Sequence, residues 1–193
     1  NALQLHSYLL GAADLGIRGV LAVTGDPPNI GPFDRLASRV TDIRNSVEFL
    51  RLLVSLRAGL MGNGQPLPAP VDFAAGCAFA PAPNLPSQAK WLMKKVEAGA
   101  EFALTQPVFA PDDIYRVREA LKDVRIPILF GLFPLTSARQ VAFLQSGKIP
   151  GILVPHAVAQ QVNSSRDPEG QTRAGIDWTL ELISRTASAV DGY

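Results

Sequence analysis

Asp26 ends a run of small apolar residues, "VLAVTGDPP" (20–28), and two prolines follow it at once. A carboxylate at the carboxyl end of a buried strand can accept hydrogen bonds from a ligand's N–H groups. Gly25 before it allows close approach to the backbone, while Pro27 and Pro28 keep the loop out of a helical form. The competing interpretation is a Gly-Asp-Pro turn in which Asp26 caps its own loop. Gln106, in "LTQPVF" (104–109), raises the same two alternatives. Its amide both donates and accepts, toward a ligand or toward backbone groups at the strand end. Lys94 and Lys95 fall in the last turn of a helical pattern. Two cations there serve equally to bind an anion or to offset the helix macrodipole.

Other chemistries find no support. His6, His156 and Cys77 lack metal-ligand spacing, so no metal site is expected. His6 is expected on a helix surface and His156 in a loop or at a helix start. "GLMGNG" (59–64) is glycine-rich, but it follows a helix and precedes a strand, the wrong order for cradling phosphate. It predicts a helix end and a turn. There is no Walker lysine and no nucleophile-elbow serine. Cys77 is the only cysteine, which rules out an intrachain disulfide and fits a reducing cytosol. It is expected to pack as a small hydrophobe.

The elements that must hold these residues follow from hydrophobic period. Strands are predicted over 19–25, buried on both faces, and over 71–80, 100–109 and 126–135. Helices are predicted within 1–19, over 45–60 with Asn45 or Ser46 as N-cap, and over 87–98, ended by Gly99. Three more follow over 111–123, 137–146 and 169–187, while 150–162 gives no clear pattern and "VDGY" (190–193) starts another strand. Alternation of this kind predicts parallel βα units. The polar residues gather at the βα junctions: Thr24-Gly25-Asp26, Phe79 onward, Thr105-Gln106, and Pro134 to Gln140. Parallel α/β folds bind ligands there. A complete eight-stranded barrel takes about 250 residues, so four strands and the start of a fifth are short of one.

Composition sets the outer bounds. With 47% hydrophobic and 18% charged residues in 193, the chain is a globular domain rather than a disordered one. A net charge of +1 and dispersed basic residues give no reason to invoke nucleic acid or an anionic membrane. No apolar run approaches the ~20 residues of a membrane span. "NALQLHSYLLGAADLGIRG" has neither initiator Met nor signal-peptide pattern and reads as a helix under way, so the chain is expected to begin inside a domain.

"LGIRGVLAVTGDPP", "KKVEAGAEFALTQPVF", "GLFPLTSARQ" and the final "VDGY" together resemble the methylenetetrahydrofolate reductases, flavoenzymes built on a (β/α)8 barrel. The resemblance runs over nearly the whole chain. It is closest to the branch fused behind a homocysteine methyltransferase domain in some bacteria, which implies such a partner domain in the parent. It implies a partial (β/α)8 barrel, about strands four to seven with the start of eight, truncated at both ends. It further implies non-covalent FAD and NADH or NADPH as co-substrate. The reaction implied is reduction of 5,10-methylenetetrahydrofolate to 5-methyltetrahydrofolate, in one-carbon and methionine metabolism, by a cytoplasmic homo-oligomer. By the same resemblance Thr24, Gly25 and Asp26 contact the flavin, and Asp26 also faces the folate pterin. Phe79 lies beside the adenosine end, and Lys94 and Lys95 lie near FAD phosphate or ribose. Gln106 touches folate and nicotinamide in turn, and Gln140 contacts folate; Asp26 and Gln106 are thus the implied catalytic residues.

Departures from the family pattern are visible. Gln88 stands where relatives have an acidic residue, and "AFAPAP" (78–83) replaces a more polar loop. The family's proton-donating glutamate and a folate-contacting arginine fall on strands the resemblance places outside these residues. The chain by itself is therefore expected to be inactive. The rival expectation is an inactive structural fragment that self-associates through open sheet edges without a ligand.

Overall fold

Parallel strands cannot be joined by a tight turn, and the crossovers this chain uses are helices. A computed structural model describes residues 2–24, 42–81, 84–149 and 151–193. In chain order the elements are α1 (Ala2–Asp14), β1 (Gly19–Ala22), α2 (Ser46–Arg57), β2 (Ala74–Phe79), α3 (Leu85–Glu97), β3 (Phe102–Pro107) and α4 (Pro111–Ala120). They continue with β4 (Ile128–Gly131), α5 (Ala138–Gln145), α6 (His156–Asn163) and α7 (Pro168–Thr186). The four strands form one sheet in the order β1-β2-β3-β4. Gly192, within "VDGY", adds an isolated parallel bridge to Leu129. This is the architecture of a partial (β/α)8 barrel.

By internal packing the chain divides into two units, Asn1–Ala78 with Met93–Phe102, and Phe79–Leu92 with Ala103–Tyr193. In the first, Gly19, Val20, Leu21 and Ala22 of β1 align with Ala74, Ala75, Gly76 and Cys77 of β2. Asn45 caps α2, its side chain accepting from the amides of Val47 and Glu48. The apolar stripe of α2 is fully buried at Leu50, Leu53 and Leu56. Glu101 ties this unit together. Its carboxylate accepts from the Ala75 amide at 2.9 Å and pairs with Arg57 at 2.8 Å. Gly99, at φ +102°, turns the chain out of α3 where other residues would be strained.

In the second unit the core gathers Phe109, Leu135, Val141, Leu144, Val158 and Val162, with Trp178 packed against it. The Trp178 indole donates to the Phe109 carbonyl at 2.7 Å, so its one polar atom is satisfied within a partly buried ring. Asp191 pins the last segment. Its carboxylate accepts from the Ile128 amide at 2.9 Å and from Arg118 at 2.8 Å, and the Phe130 amide donates to Gly192.

Three expectations need correction. The run from β1 is not buried on both faces: Ala22 is fully buried, but Leu21 in β1 is 37% and Val23 just beyond it 53% exposed, and among the described residues β1 pairs on one side alone, with β2. The region without a clear pattern contains α6, with Pro155 as its N-cap. His6 is more than a surface residue. Its Nε2 accepts from the Gly62 amide at 2.8 Å while Nδ1 faces the Ala2 carbonyl at 2.9 Å, so the ring carries its proton on Nδ1 and ties α1 to the 59–64 turn. Among the described residues no helix is long and apolar enough to cross a membrane, and no metal-binding group of His, Cys, Asp or Glu gathers.

Candidate functional site

In the first unit, Thr24 lies just beyond β1, exposed, with its hydroxyl 3.5 Å from that of Ser46. Ser46 is the buried first residue of α2, so the end of β1 is tied to a helix start. Gly25 and Asp26 lie outside the described residues. Lys94 and Lys95 do not act as a pair. Successive helical residues are rotated by about 100°, so they take different environments. Lys94 is exposed, whereas Lys95 is 8% exposed and donates from Nζ to the Ala78 carbonyl at 2.6 Å, beside the end of β2. Burial lowers the Lys95 pKa, and the nearby Cys77 thiol offsets part of that.

Cys77 is fully buried, as expected of a small hydrophobe, and burial pushes its pKa up to about 11 against the attraction of Lys95. A thiol held neutral in the folded state, but free to ionise near 9 when unfolded, contributes stability that is complete below pH 9. That stability is lost as pH rises through about 11. The wild type is therefore expected to lose on the order of 2 kcal/mol across that window relative to Cys77→Ala. Denaturant melts of both proteins at stepped alkaline pH check this; parallel curves would refute it.

In the second unit, Phe79 closes β2 with a ring only 3% exposed, so its place is packing at the strand end. Gln106 is half-buried, the next-to-last residue of β3. Gln140 sits in the first turn of α5, where Ser137 caps the helix by accepting from the Gln140 amide. The Gln140 side-chain oxygen is spent on Thr136, accepting from its backbone N–H at 2.8 Å and its hydroxyl at 3.0 Å. This is a capping-box arrangement shifted by one residue. The Nε2 group is what Gln140 retains for a ligand.

Thr105 was legible only as a polar junction residue and Gly131 not at all, yet they shape the ground under Gln106. Leu104 aligns with Leu129 and Pro107 with Gly131, so β3 spends one residue more than β4 between the two positions, a β-bulge. The Thr105 hydroxyl fills it, accepting from the Gly131 amide at 3.0 Å and donating to the Gln106 carbonyl at 2.7 Å. A Cβ at Gly131 would lie 2.7 Å from the Thr105 carbonyl oxygen and 3.1 Å from the Gln106 carbonyl carbon. Only glycine admits that backbone approach. A lone glycine inside a strand pattern, as in "ILFGLFPL", is the signal that points to it.

The polar groups so placed suit recognition rather than bond-making. Thr24 and Lys94 are exposed donors fit for phosphate or hydroxyl groups, and Gln106 offers a two-way amide at a strand end.

A family model described as methylenetetrahydrofolate reductase matches residues 1–191. A protein named methylenetetrahydrofolate reductase 2 from Schizosaccharomyces pombe is 24% identical over 199 residues, covering 94% of this chain and 28% of that protein. One of the same name from Saccharomyces cerevisiae is 27% identical over 194 residues, covering 94% and 29%. The chain thus spans under a third of these relatives. A solved structure from Clostridium thermocellum, an uncharacterized protein described as binding two copies of 5-methyl-5,6,7,8-tetrahydrofolic acid, is 16% identical. It superposes with a TM-score of 0.50 over 91% of this chain and 64% of that one, a likeness of fold. With the parallel sheet, a family match from the first residue to within two of the last shows it: this chain belongs to the methylenetetrahydrofolate reductase family.

Proposed function

We propose that the protein carrying this chain reduces 5,10-methylenetetrahydrofolate to 5-methyltetrahydrofolate in cytosolic one-carbon metabolism, with FAD as cofactor and NADH or NADPH as hydride source. The family match over residues 1–191 carries this reading. The described fold-mate that binds a methylated tetrahydrofolate supports a folate ligand. The exposed Thr24 hydroxyl and Lys94 ammonium have the donor chemistry that FAD ribose and phosphates need. Bound there, the flavin supplies hydride transfer between nicotinamide and folate. Lys95 serves differently: its ammonium secures the end of β2 through Ala78 instead of meeting a phosphate. Gln106 reads the polar edge of the folate, and the Gln140 Nε2 group adds a donor. Asp26, outside the described residues, accepts hydrogen bonds from the pterin.

The purified full-length protein is expected to show flavin absorbance and to oxidise NADH or NADPH only when 5,10-methylenetetrahydrofolate is present. A colourless protein with no folate-dependent oxidation would overturn the reading. A second reading, self-association of a ligand-free barrel fragment, is favoured by the β1 edge with Leu21 and Val23 exposed. It requires that oligomers form without flavin, which light scattering on the same preparation decides. The enzyme reading also includes a homo-oligomer and a fused homocysteine methyltransferase domain, visible as subunit mass and domain content of the full-length protein.

A further inference from the structure

We propose that Thr105 is a positioning residue for Gln106: its hydroxyl, locked onto Gly131, holds open the β3 bulge that decides which way the Gln106 side chain faces. Along a strand the side chains alternate between faces, so one inserted residue reverses every position beyond it. Between the pairs Leu104–Leu129 and Pro107–Gly131 the inserted residue sits at Thr105 or Gln106. A bulge breaks the ladder and leaves backbone groups in need of partners. The Gly131 N–H is one of them, and the Thr105 hydroxyl takes it. The same hydroxyl donates its own proton to the Gln106 carbonyl, so one side chain satisfies both strands of the irregularity.

Thr105 is 8% exposed, and neither of its bonds is replaceable by bulk water without opening the strand pair. Gly131 completes the device by leaving room for the Thr105 and Gln106 carbonyl groups. The Val108 amide then resumes the ladder on the Gly131 carbonyl at 3.0 Å, which closes the irregularity behind Gln106. If Thr105 loses its hydroxyl, the extra residue has nothing to hold it, and Gln106 samples both facings.

The test compares Thr105→Val, which keeps the shape and removes the hydroxyl, with Thr105→Ser, which keeps the hydroxyl. Amide hydrogen exchange at Gly131 and the side-chain NH2 signals of Gln106 are read by NMR in the full-length protein without ligand. Thr105→Val is expected to speed Gly131 exchange about tenfold or more and to broaden or shift the Gln106 signals, and Thr105→Ser to restore both. In the second arm, 5-methyltetrahydrofolate is titrated calorimetrically, and Thr105→Val is expected to bind roughly 5- to 30-fold more weakly, with Thr105→Ser near wild type. That arm rests on the folate reading above; the exchange arm does not. A wild type that ignores 5-methyltetrahydrofolate defeats the folate reading and leaves the exchange data to judge Thr105. Wild-type exchange at Gly131 and unchanged Gln106 signals in Thr105→Val overturn the proposal.

Discussion

Gly175→Ala is expected to destabilise the protein by about 3–5 kcal/mol. In the interior of a helix alanine ordinarily gains about 1 kcal/mol over glycine, so the sign here is set by packing. Gly175 is buried on the face of α7 that lies on the β4–α5 connection. A Cβ there would fall 2.6 Å from the Leu135 carbonyl carbon and 3.1 Å from its nitrogen, with the carbonyl oxygen nearer still. Backbone cannot swing aside as a side-chain tip can, so α7 or the connection must move.

That movement strains a set of bonds that hold the same two segments together. Thr172 donates to the Thr136 carbonyl at 3.3 Å, and the Gln171 side chain accepts from the Ala138 amide at 2.9 Å. Trp178 donates to Phe109 at 2.7 Å three residues further along α7. Thr136 is also the partner of Gln140, so the shift reaches a candidate site residue. For a chain of this size the loss corresponds to a drop in Tm of about 10 °C. Gly11→Ala, in α1 with nothing within 4 Å of a new Cβ, is the control and is expected to be neutral or slightly stabilising. Denaturant melts of the two variants side by side decide it; if Gly175→Ala matches Gly11→Ala, the close approach of α7 does not limit this fold.

The alternation of strand and helix was legible because period and flanking residues agree. Asn45 before an apolar stripe and Gly99 after a basic last turn mark their helices as the structure has them. Strand ends were overdrawn. Pro127 and Pro134 lie outside β4, and Val71 and Phe73 are buried just before β2 without joining its ladder, so apolar character ran past the hydrogen bonding. Exposure on β1 depends on what packs over the strand's faces, a property of tertiary structure that no local pattern carries.

The candidate site was legible as residue types at junctions and illegible as geometry. "KK" looks like one basic feature in sequence, but helical rotation leaves Lys94 exposed and takes the Lys95 ammonium to Ala78. "TQP" shows an amide at a strand end, but a bulge is a difference in residue count between two strands far apart in sequence. His6 and Gly62, similarly, are linked across 56 residues by one bond that no periodicity announces.

Gln106→Ala in the full-length protein is expected to weaken 5-methyltetrahydrofolate binding by about 5- to 150-fold and to leave flavin content unchanged, because losing one buried hydrogen-bond partner costs about 1–3 kcal/mol. Gln106 stands at the end of β3, half-buried, with Pro107 fixing the chain behind it and Thr105 fixing the bulge before it. Backbone so constrained forfeits little entropy when a ligand docks, which favours an amide's counting in affinity. Truncation leaves the ligand's polar edge against a methyl group where water enters poorly. Gln106→Glu separates the two halves of the amide: it keeps an acceptor and removes the NH2 donors. If the ligand presents acceptors to Gln106, Glu should bind as weakly as Ala or worse, since a carboxylate would face a lone pair. If the ligand presents donors, Glu should retain most of the affinity. Calorimetric titration with 5-methyltetrahydrofolate, beside flavin absorbance per protein, gives both answers. An unchanged dissociation constant in Gln106→Ala, or a parallel loss of flavin, would assign Gln106 to the strand end and leave folate recognition to other residues.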